Sequence, residues 1–430
     1  MFMLFKPFDK LRVNKLFWLA VITLLAFGLR AWRITQPPQY IFDEVYYPKY
    51  AAQYLSGGAP FDAHPPAGRL LITAGVALFG NQPFGWRVMP LIFGTLLIPL
   101  AYVLAWQLFE SRRAGLIAAL LIALDGMFFV YARTGLIDTF LVFFTLLALS
   151  LALAARHFTG HGNERLATLA WIASGITVGV ATSVKWVGLG IWPIIAAIAA
   201  ITTLKSTKKR FIKRIAMLLI SLVAIPAIVY SLFFILEPGK QPVIWQDIKD
   251  WHTHTWHYHV NLKETRTYNS RPWQWPLMVK PIHFWNEEHN GKKQAIIALG
   301  NPIIWWGSTI AVVGTIGWLA IQLVRRRRKA KLPLGLTVAT ASFLVLLVPW
   351  FFIKRGLFIF HYLSAFAFAV LIASYWLATM WRHPIGRRLA IIVLILAGIN
   401  FIYFYPILSA LPISQSAYQN RMWFSSWATN

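Results

Sequence analysis

The chain has 430 residues, of which 58% are hydrophobic and only 13% charged, whereas a soluble domain usually carries about 25% charged residues. This composition excludes an ordinary soluble domain, and the absence of cysteine excludes disulfides, thiol chemistry and cysteine-ligated metals. The formal charge of +27 does not indicate nucleic-acid binding, because the basic residues lie in short runs between apolar stretches, as in the cytoplasmic loops of membrane proteins.

Apolar stretches long enough to cross a bilayer, which takes about 20 residues, recur from one end of the chain to the other. The first follows a basic segment and resembles an uncleaved signal anchor within residues 1–35. The eleven predicted spans are 16–35, 86–108, 114–132, 136–155, 167–184, 187–204, 215–236, 302–324, 333–353, 356–380 and 389–409.

The basic runs set the expected orientation, because cytoplasmic loops are enriched in Lys and Arg. KSTKKRFIKR at 205–214 and RRRRKAK at 325–331 are both cytoplasmic when the N-terminus is inside. An odd number of spans then places the C-terminus outside the cytoplasm. Residues 66–80 are apolar but only fifteen long and include Arg69, so we predict an interfacial or half-inserted helix there.

Two outer loops remain, at 36–85 and 237–301, and the tail 410–430 lies on the same side. No Gly-rich phosphate loop follows a strand, and no cytoplasmic loop could hold a nucleotide-binding domain. We therefore predict one all-α transmembrane domain, 1–430, with interfacial helices in the outer loops and no separate soluble domain. Its chemistry is expected on the outer face, with a substrate dissolved in the membrane.

Asp43 and Glu44 are adjacent carboxylates in the first outer loop. They could be a solvated pair or a helix N-cap, since a helix plausibly starts nearby. The alternative is a general base at the membrane surface, which deprotonates a hydroxyl as that hydroxyl attacks an activated carbon.

Further charged residues are predicted to lie toward the same outer face. Ionisable groups within spans mark function by default, although snorkelling and structural ion pairing could also explain them. Together they predict a cation-rich cavity in which Arg or Lys stabilises a departing phosphate while one carboxylate activates the incoming hydroxyl. The residues are Arg30, Arg33, Arg87, Asp125, Arg133, Asp138, Lys185, Lys354 and Arg355.

Clustered histidines at 252, 254, 257 and 259 could bind zinc, but their spacing fits no strong zinc signature. The intervening Trp and Tyr residues favour an amphipathic helix in the membrane interface. Gly175 and Gly179 form a GxxxG pattern, which indicates helix packing.

The motifs taken together resemble those of the protein O-mannosyltransferases. In chain order they occupy nearly the whole sequence: Phe42-Asp43-Glu44-Val45, His64-Pro65-Pro66, Asp125-Gly126-Met127-Phe128 with Ala132-Arg133, Leu136-Ile137-Asp138, Ser183-Val184-Lys185-Trp186-Val187-Gly188, Arg271-Pro272-Trp273-Gln274-Trp275-Pro276, Leu299-Gly300-Asn301-Pro302, Phe360-His361-Tyr362-Leu363 and Arg421-Met422-Trp423-Phe424.

The resemblance implies a GT-C fold and an inverting transfer of mannose from a polyprenyl-phosphate carrier to Ser or Thr of translocated proteins, without metal or cofactor. It implies that Asp43 and Glu44 supply the base and position the acceptor. Two features depart from the family pattern. Loop 237–301 has no room for the inserted carbohydrate-binding-like domain of eukaryotic members, which indicates a bacterial cytoplasmic membrane protein. Ser364 replaces the proline that usually follows Tyr-Leu, here Tyr362-Leu363. The expected donor-phosphate and substrate-binding residues are Arg30, Arg87, Arg133, Lys185, Asp138, His64, His361 and Tyr362.

Two other functions stay open at this point. A relative could transfer another lipid-linked sugar to a lipid or glycan, as aminoarabinose transferases of lipid A do. A transporter or flippase could use the same charged cavity, but such proteins commonly show paired internal repeats, and this sequence has no such symmetry.

Overall fold

The structure is a computed structural model and describes residues 10–204, 208–238, 245–262, 266–324 and 333–428. The predicted basic run 325–331 lies outside the described residues. The N-terminal half is helical, with α1 (Lys10–Ala31), α2 (Tyr47–Leu55), α3 (Ala67–Phe79), α4 (Pro83–Phe109), α5 (Arg112–Leu124), α6 (Gly126–Tyr131), α7 (Asp138–Gly160), α8 (Glu164–Val184), α9 (Trp192–Leu204), α10 (Lys208–Leu219) and α11 (Ile225–Ile235).

The C-terminal half combines helices with a small antiparallel sheet in the order β1-β2-β3. Its elements are α12 (Trp245–Asn261), β1 (Ile282–His289), β2 (Lys292–Ala298), α13 (Pro302–Val324), α14 (Leu334–Leu347), α15 (Leu363–Met380), α16 (Pro384–Leu408), β3 (Ile413–Ser414), α17 (Gln415–Gln419) and α18 (Ser425–Ala428).

Nine helices within the described ranges are long and apolar enough to cross a membrane, and each overlaps a predicted span. The first predicted span lies in α1, and the third is divided between α5 and α6. The count of eleven therefore stays a prediction. α3 has 13 residues, about 20 Å of helix, which is too short to cross a bilayer, as expected for residues 66–80.

Asp125 is the reason that the third span is divided. Its Oδ1 accepts the N–H groups of Met127 at 3.0 Å and Phe128 at 3.1 Å, so the side chain caps α6. Its Oδ2 accepts the N–H of Asn301 at 3.0 Å, and the Asn301 amide donates to Leu124 O at 3.1 Å. The buried carboxylate thus joins the α5–α6 break to the start of α13.

α8 packs closely on the α10–α11 segment, as the GxxxG pattern predicts. A Cβ on Gly175 would lie 1.7 Å from Ser221 O. A π-helical turn precedes α11, and Pro226 lacks the N–H that would bind Leu222 O. The indole of Trp192 donates to that carbonyl at 2.6 Å, so the proline leaves no unsatisfied acceptor there.

The sheet corrects the expectation that the outer loops contain only helices. β1 and β2 form a hairpin whose turn residues, Asn290 and Gly291, have φ of 50° and 67°. Positive φ at both central positions is the type I′ geometry, for which Asn-Gly is the preferred sequence. The Asn-Gly pair between β-prone runs was therefore a sequence signal for this hairpin.

The C-terminal tail completes the outer structure. β3 pairs with β2, and Ser426 Oγ donates to Val279 O at 2.7 Å. The Trp427 indole donates to Met278 O at 2.9 Å, and His283 Nε2 donates to Trp427 O at 2.8 Å. One continuous hydrophobic core extends from α1 to Trp427.

Candidate active site

Glu44 and its neighbour Asp43 lie in a 3-10 turn, Phe42–Val45, before α2. The Glu44 carboxylate is fully buried and saturated with donors. Oε1 accepts from Arg87 Nε and from the N–H of Gly135, both at 2.7 Å. Oε2 accepts from Arg87 Nη2 at 2.7 Å and from the N–H of Ile41 at 3.1 Å. A carboxylate held this way has no lone pair directed at a substrate.

Arg87 is equally occupied by the protein. Besides its bidentate pair with Glu44, Nη1 donates to Ile34 O and Pro37 O at 2.9 Å, and Nη2 donates to Gln39 O at 3.3 Å. A guanidinium has five N–H donors, and all five are used here. This geometry argues against the predicted contact between Arg87 and a donor phosphate, because no N–H group of Arg87 is left to bind one. Arg87 instead stabilises the loop that carries Asp43.

Asp43 occupies a different environment. It is half-buried, and burial raises the pKa of its carboxyl from 3.8 to about 6. Lys185 and Arg266 lie close enough to lower that pKa, and Asp138 and Asp62 close enough to raise it. The structure therefore brings Asp43 close to the predicted residues Asp138 and Lys185, in a cluster with charges of both signs.

Lys185 ends α8, and Asp138 begins α7. Lys185 Nζ lies 2.7 Å from Asp138 Oδ1 and 5.3 Å from the ring centroid of Phe360. Gly188 lets the chain turn sharply after the lysine, since a Cβ there would lie 2.3 Å from the backbone of Ala181. The Ser-Val-Lys-Trp-Val-Gly motif thus places one ammonium group, already paired with the Asp138 carboxylate, near Asp43.

Two imidazoles and one arginine lie close to Lys185. Burial lowers the pKa of His64 well below its ordinary value, and nearby Lys185, His259 and Arg355 lower it further. Burial, with Arg355, also lowers the pKa of His259 to about 4. Burial lowers the pKa of Arg355 itself. His64, His259 and Arg355 therefore lie close to one another, and the role predicted for His64 stays a prediction.

Asp62 adds a third carboxylate near Asp43. Its Oδ1 accepts the N–H of His64 at 3.0 Å, and its Oδ2 lies 3.8 Å from Arg69 Nη1. Arg69 donates to buried Glu237 at 2.7 Å, and Tyr54 donates to the same oxygen. These hydrogen bonds and ion pairs connect the first outer loop to Glu237, which follows α11. The sequence alone assigns no role to Asp62 or Glu237.

Arg30 and Arg133 lie beside the outer end of α1. Arg133 Nη2 donates to Trp32 O at 3.0 Å and Arg33 O at 3.1 Å, at the helix C-terminus, where a cation is favourable. Arg30 is buried, near Asp125, and donates to Ile122 O at 3.3 Å. These contacts fit a structural role for both arginines, and their predicted contact with the donor stays a prediction.

His361 and Tyr362 belong to an aromatic cluster. The His361 ring is stacked 4.5 Å from Phe360 and 6.0 Å from Trp275. His361 also lies close enough to His64 to lower the pKa of His64. Tyr362 is 1% exposed and packs against Trp305, so the predicted substrate contact of Tyr362 does not fit its position in the core.

The four clustered histidines lie on α12, as the amphipathic-helix interpretation predicts. Three of the rings have separate partners: His252 pairs with the Tyr230 hydroxyl at 2.8 Å, His254 packs on Phe61, and His259 donates to Ala63 O at 3.2 Å. Across the part of the chain that the structure describes, no three His, Asp or Glu side chains converge as metal ligands.

Asp62 and Arg266 lie near Asp43, and His259 lies near His64, although the sequence does not predict these three as site residues. Arg355, one of the charges predicted for the cation-rich cavity, also lies near His64. Their proximity depends on how α12 and the segment before α15 fold over the first outer loop, which no local pattern encodes.

Family models match both halves of the chain. One, described as "Dolichyl-phosphate-mannose-protein mannosyltransferase", matches residues 20–86 and 82–237. The other, described as "C-terminal four TMM region of protein-O-mannosyltransferase", matches residues 244–427.

Named bacterial proteins resemble the chain over nearly its full length. The polyprenol-phosphate-mannose–protein mannosyltransferase of Mycobacterium tuberculosis is 27% identical, with 98% of this chain and 93% of that protein covered. The Corynebacterium glutamicum protein of the same name is 27% identical, with 85% and 81% covered.

Two solved structures share the fold. The protein O-mannosyltransferase Pmt1-Pmt2 complex of S. cerevisiae, bound to the sugar donor, has a TM-score of 0.85 at 16% identity, covering 96% of this chain and 92% of that one. ArnT from Cupriavidus metallidurans, bound to undecaprenyl phosphate, has a TM-score of 0.59 at 13% identity, covering 93% and 76%. The predicted GT-C fold is confirmed, and the chain is a multi-pass membrane protein.

Proposed function

Because the chain belongs to the protein O-mannosyltransferase family, we propose that it transfers mannose from a polyprenyl-phosphate carrier to hydroxyl groups of proteins. It is a membrane-embedded glycosyltransferase, and the names of its bacterial relatives support mannose as the sugar and protein as the acceptor. The transporter hypothesis is thereby set aside.

The observation that supports the chemistry best is the contrast between Asp43 and Glu44. Asp43 is half-buried, with a pKa raised to about 6, and lies near Lys185. Glu44 is saturated by Arg87 and the backbone. A general base needs an available lone pair and a pKa near the working pH, and the occupied oxygens of Glu44 leave Asp43 as the proposed base.

In the proposed step, the acceptor hydroxyl oxygen attacks C1 of mannose as the bond from C1 to the phosphate oxygen breaks. Asp43 takes the hydroxyl proton, and the bonding electrons leave with polyprenyl phosphate. A single displacement inverts the configuration at C1. Lys185 and Arg355 are proposed to stabilise the phosphate charge, which removes the need for a general acid.

Arg87 and Glu44 are proposed to hold the loop of the base, and Asp138 to hold Lys185 in place. His64 and His361 are proposed to line the donor site as neutral hydrogen-bonding groups. Arg30 and Arg133 are proposed to secure the outer end of α1, and Tyr362 to pack the aromatic cluster.

The finer features are proposals as well. We propose one catalytic domain over the whole chain, because its hydrophobic core is continuous. The acceptor hydroxyls are proposed to be Ser and Thr of translocated proteins. The proposed location is a bacterial cytoplasmic membrane, with the cavity facing away from the cytoplasm.

Incubation of the purified protein with polyprenyl-phosphate mannose and a Ser/Thr-rich peptide tests the function. We expect a peptide heavier by one hexose, formed by wild-type protein and lost in the Asp43→Asn variant. Sugar on an added lipid acceptor instead of the peptide would support the aminoarabinose-transferase-like alternative. Absence of transfer to either acceptor, with donor binding intact, would overturn the proposal.

A further inference from the structure

Phe42, the residue before the proposed base, has a left-handed backbone with φ of 48°. Bulky side chains rarely adopt this conformation, because the Cβ approaches the following carbonyl oxygen. Such a residue persists only where its surroundings hold it in place, and these sites are often functional. Its neighbours therefore show what holds the turn.

The ring of Phe42 lies flat against the ring of Phe284 on β1. The two centroids are 4.3 Å apart and the planes differ by 5°. Phe284 is buried, and its own ring meets the edge of Tyr131 at 5.3 Å. The hairpin thus provides a fixed surface on which the Phe42 side chain rests.

The turn that begins at Phe42 carries both adjacent carboxylates. After Phe42, the 3-10 turn closes with the N–H of Glu44 donating to Ile41 O at 2.9 Å. Glu44 pairs with Arg87, and Asp43 lies near Lys185. A more usual backbone angle at Phe42 would rotate both carboxylates away from these partners.

Phe360 connects the same aromatic group to the proposed phosphate site. Its ring centroid lies 6.4 Å from that of Phe42 and 5.3 Å from Lys185 Nζ. The residue before the proposed base and the proposed phosphate cation therefore lie against the same ring, that of Phe360.

We propose that the Phe42–Phe284 stack is a positioning device: the hairpin β1–β2 holds Phe42 in its left-handed conformation and so directs Asp43 at the acceptor hydroxyl. Phe42 and Phe284 are positioning residues and not catalytic ones. The inference rests on the proposed role of Asp43.

Comparing Phe42→Gly with Phe42→Ala distinguishes the effect of the backbone conformation on turnover from the effect of losing the ring. Both variants lose the stack, but glycine adopts positive φ freely and alanine does not. The left-handed penalty of a non-glycine residue corresponds to about tenfold in population. We therefore expect turnover at saturating donor to be about tenfold higher for Phe42→Gly than for Phe42→Ala, with similar donor affinity. Equal turnover in the two variants would overturn the proposal.

Variants at Phe284 and at Met278 test whether the effect is specific to the Phe42–Phe284 stack. Phe284→Leu should lower turnover in the wild-type background and have little further effect in Phe42→Gly, because no ring remains to be stacked.

Met278 is a matched control, since it is also left-handed, with φ of 55°, and buried. Met278→Gly and Met278→Ala should turn over equally per folded molecule. A glycine advantage at Met278 equal to that at Phe42 would overturn the proposal.

A readout independent of activity separates this inference from the proposed function. The chain contains no cysteine, so Asp43→Cys introduces a single thiol. Both Phe42 variants should change its rate of modification by a water-soluble thiol reagent, and the change should be larger in Phe42→Ala by at least about threefold, because only alanine disfavours the turn. Equal rates in all three proteins would overturn the positioning role, even if mannose transfer succeeds. Unequal rates without mannose transfer would uphold it and reject the function.

Discussion

Asp43 and Glu44 are the same kind of group one residue apart, and their surroundings give them different properties. We expect Asp43→Asn to lower turnover by about 10²–10⁴-fold while donor binding survives, because the amide keeps the shape and loses the proton acceptor. Steady-state kinetics at saturating donor measures this. Near-native turnover of Asp43→Asn would show that the base lies elsewhere.

Glu44→Gln is the matched comparison and should act on stability. Its carboxylate pairs with Arg87 in a fully buried site, and breaking a buried pair costs about 3–5 kcal/mol. The expected result is a lower unfolding temperature, with turnover per folded molecule less affected than in Asp43→Asn. A catalytic loss as deep as that of Asp43→Asn, without loss of stability, would contradict this division of roles.

The raised pKa of Asp43 also predicts a pH dependence. Burial destabilises the charged form, so the carboxyl takes up its proton at about pH 6, and the base is lost as the pH falls below that value. We expect kcat/KM to decline on the acid side with a midpoint near 6. Asp138→Asn removes a like charge and releases Lys185 from its pair, so the midpoint should move to lower pH. An unchanged midpoint would show that another group titrates.

Lys185 and Arg355 should control donor affinity. A charge-assisted contact to phosphate is worth about 1.5–3 kcal/mol, so Lys185→Met or Arg355→Gln should weaken donor binding by about 10- to 100-fold. Lys185→Met also leaves Asp138 without its partner, and the double variant Lys185→Met with Asp138→Asn is the control. Recovery of affinity in the double variant would show that the lysine acts only through Asp138.

At the scale of elements, the turn after α8 depends on a close approach of backbone. A Cβ at position 188 would lie 2.3 Å from the carbonyl of Ala181, so Gly188→Ala must move the turn that carries Lys185. We expect lower thermal stability together with weaker donor binding. Gly307 is the control, since a Cβ there meets nothing within 4 Å and Gly307→Ala should be tolerated. Equal behaviour of the two variants would contradict the packing argument.

Most elements were predictable because long apolar runs can form only helices in a bilayer. The break at Asp125 was not, because it depends on Asn301, far away in the chain. The β-hairpin was missed although its Asn-Gly turn was visible in the sequence. The site residues stay a prediction, although Asp43, Asp138 and His64 all lie near Lys185. The saturation of Arg87 follows from loop carbonyls that no side-chain motif reveals.

At the scale of the whole molecule, the arrangement across the membrane is a testable prediction. Reporter fusions at residues 208 and 328 should read cytoplasmic, because basic loops stay inside. Fusions at 260 and 425 should read extracytoplasmic, on the side of the cavity. A fusion at 328 that reads outside would overturn the orientation and with it the proposed face of the reaction.

The pairing of the C-terminal tail with the second outer loop has a consequence for biosynthesis. The hairpin β1–β2 is made before α13–α16, yet β3 and Trp427, which bind it, follow those four helices. A nascent chain therefore exposes the outer loop without its final partners until the last helix has been inserted. Truncation after α16 should leave a chain that is integrated in the membrane but sensitive to protease at the hairpin. Assembly of the outer face is thus a late, post-insertion event.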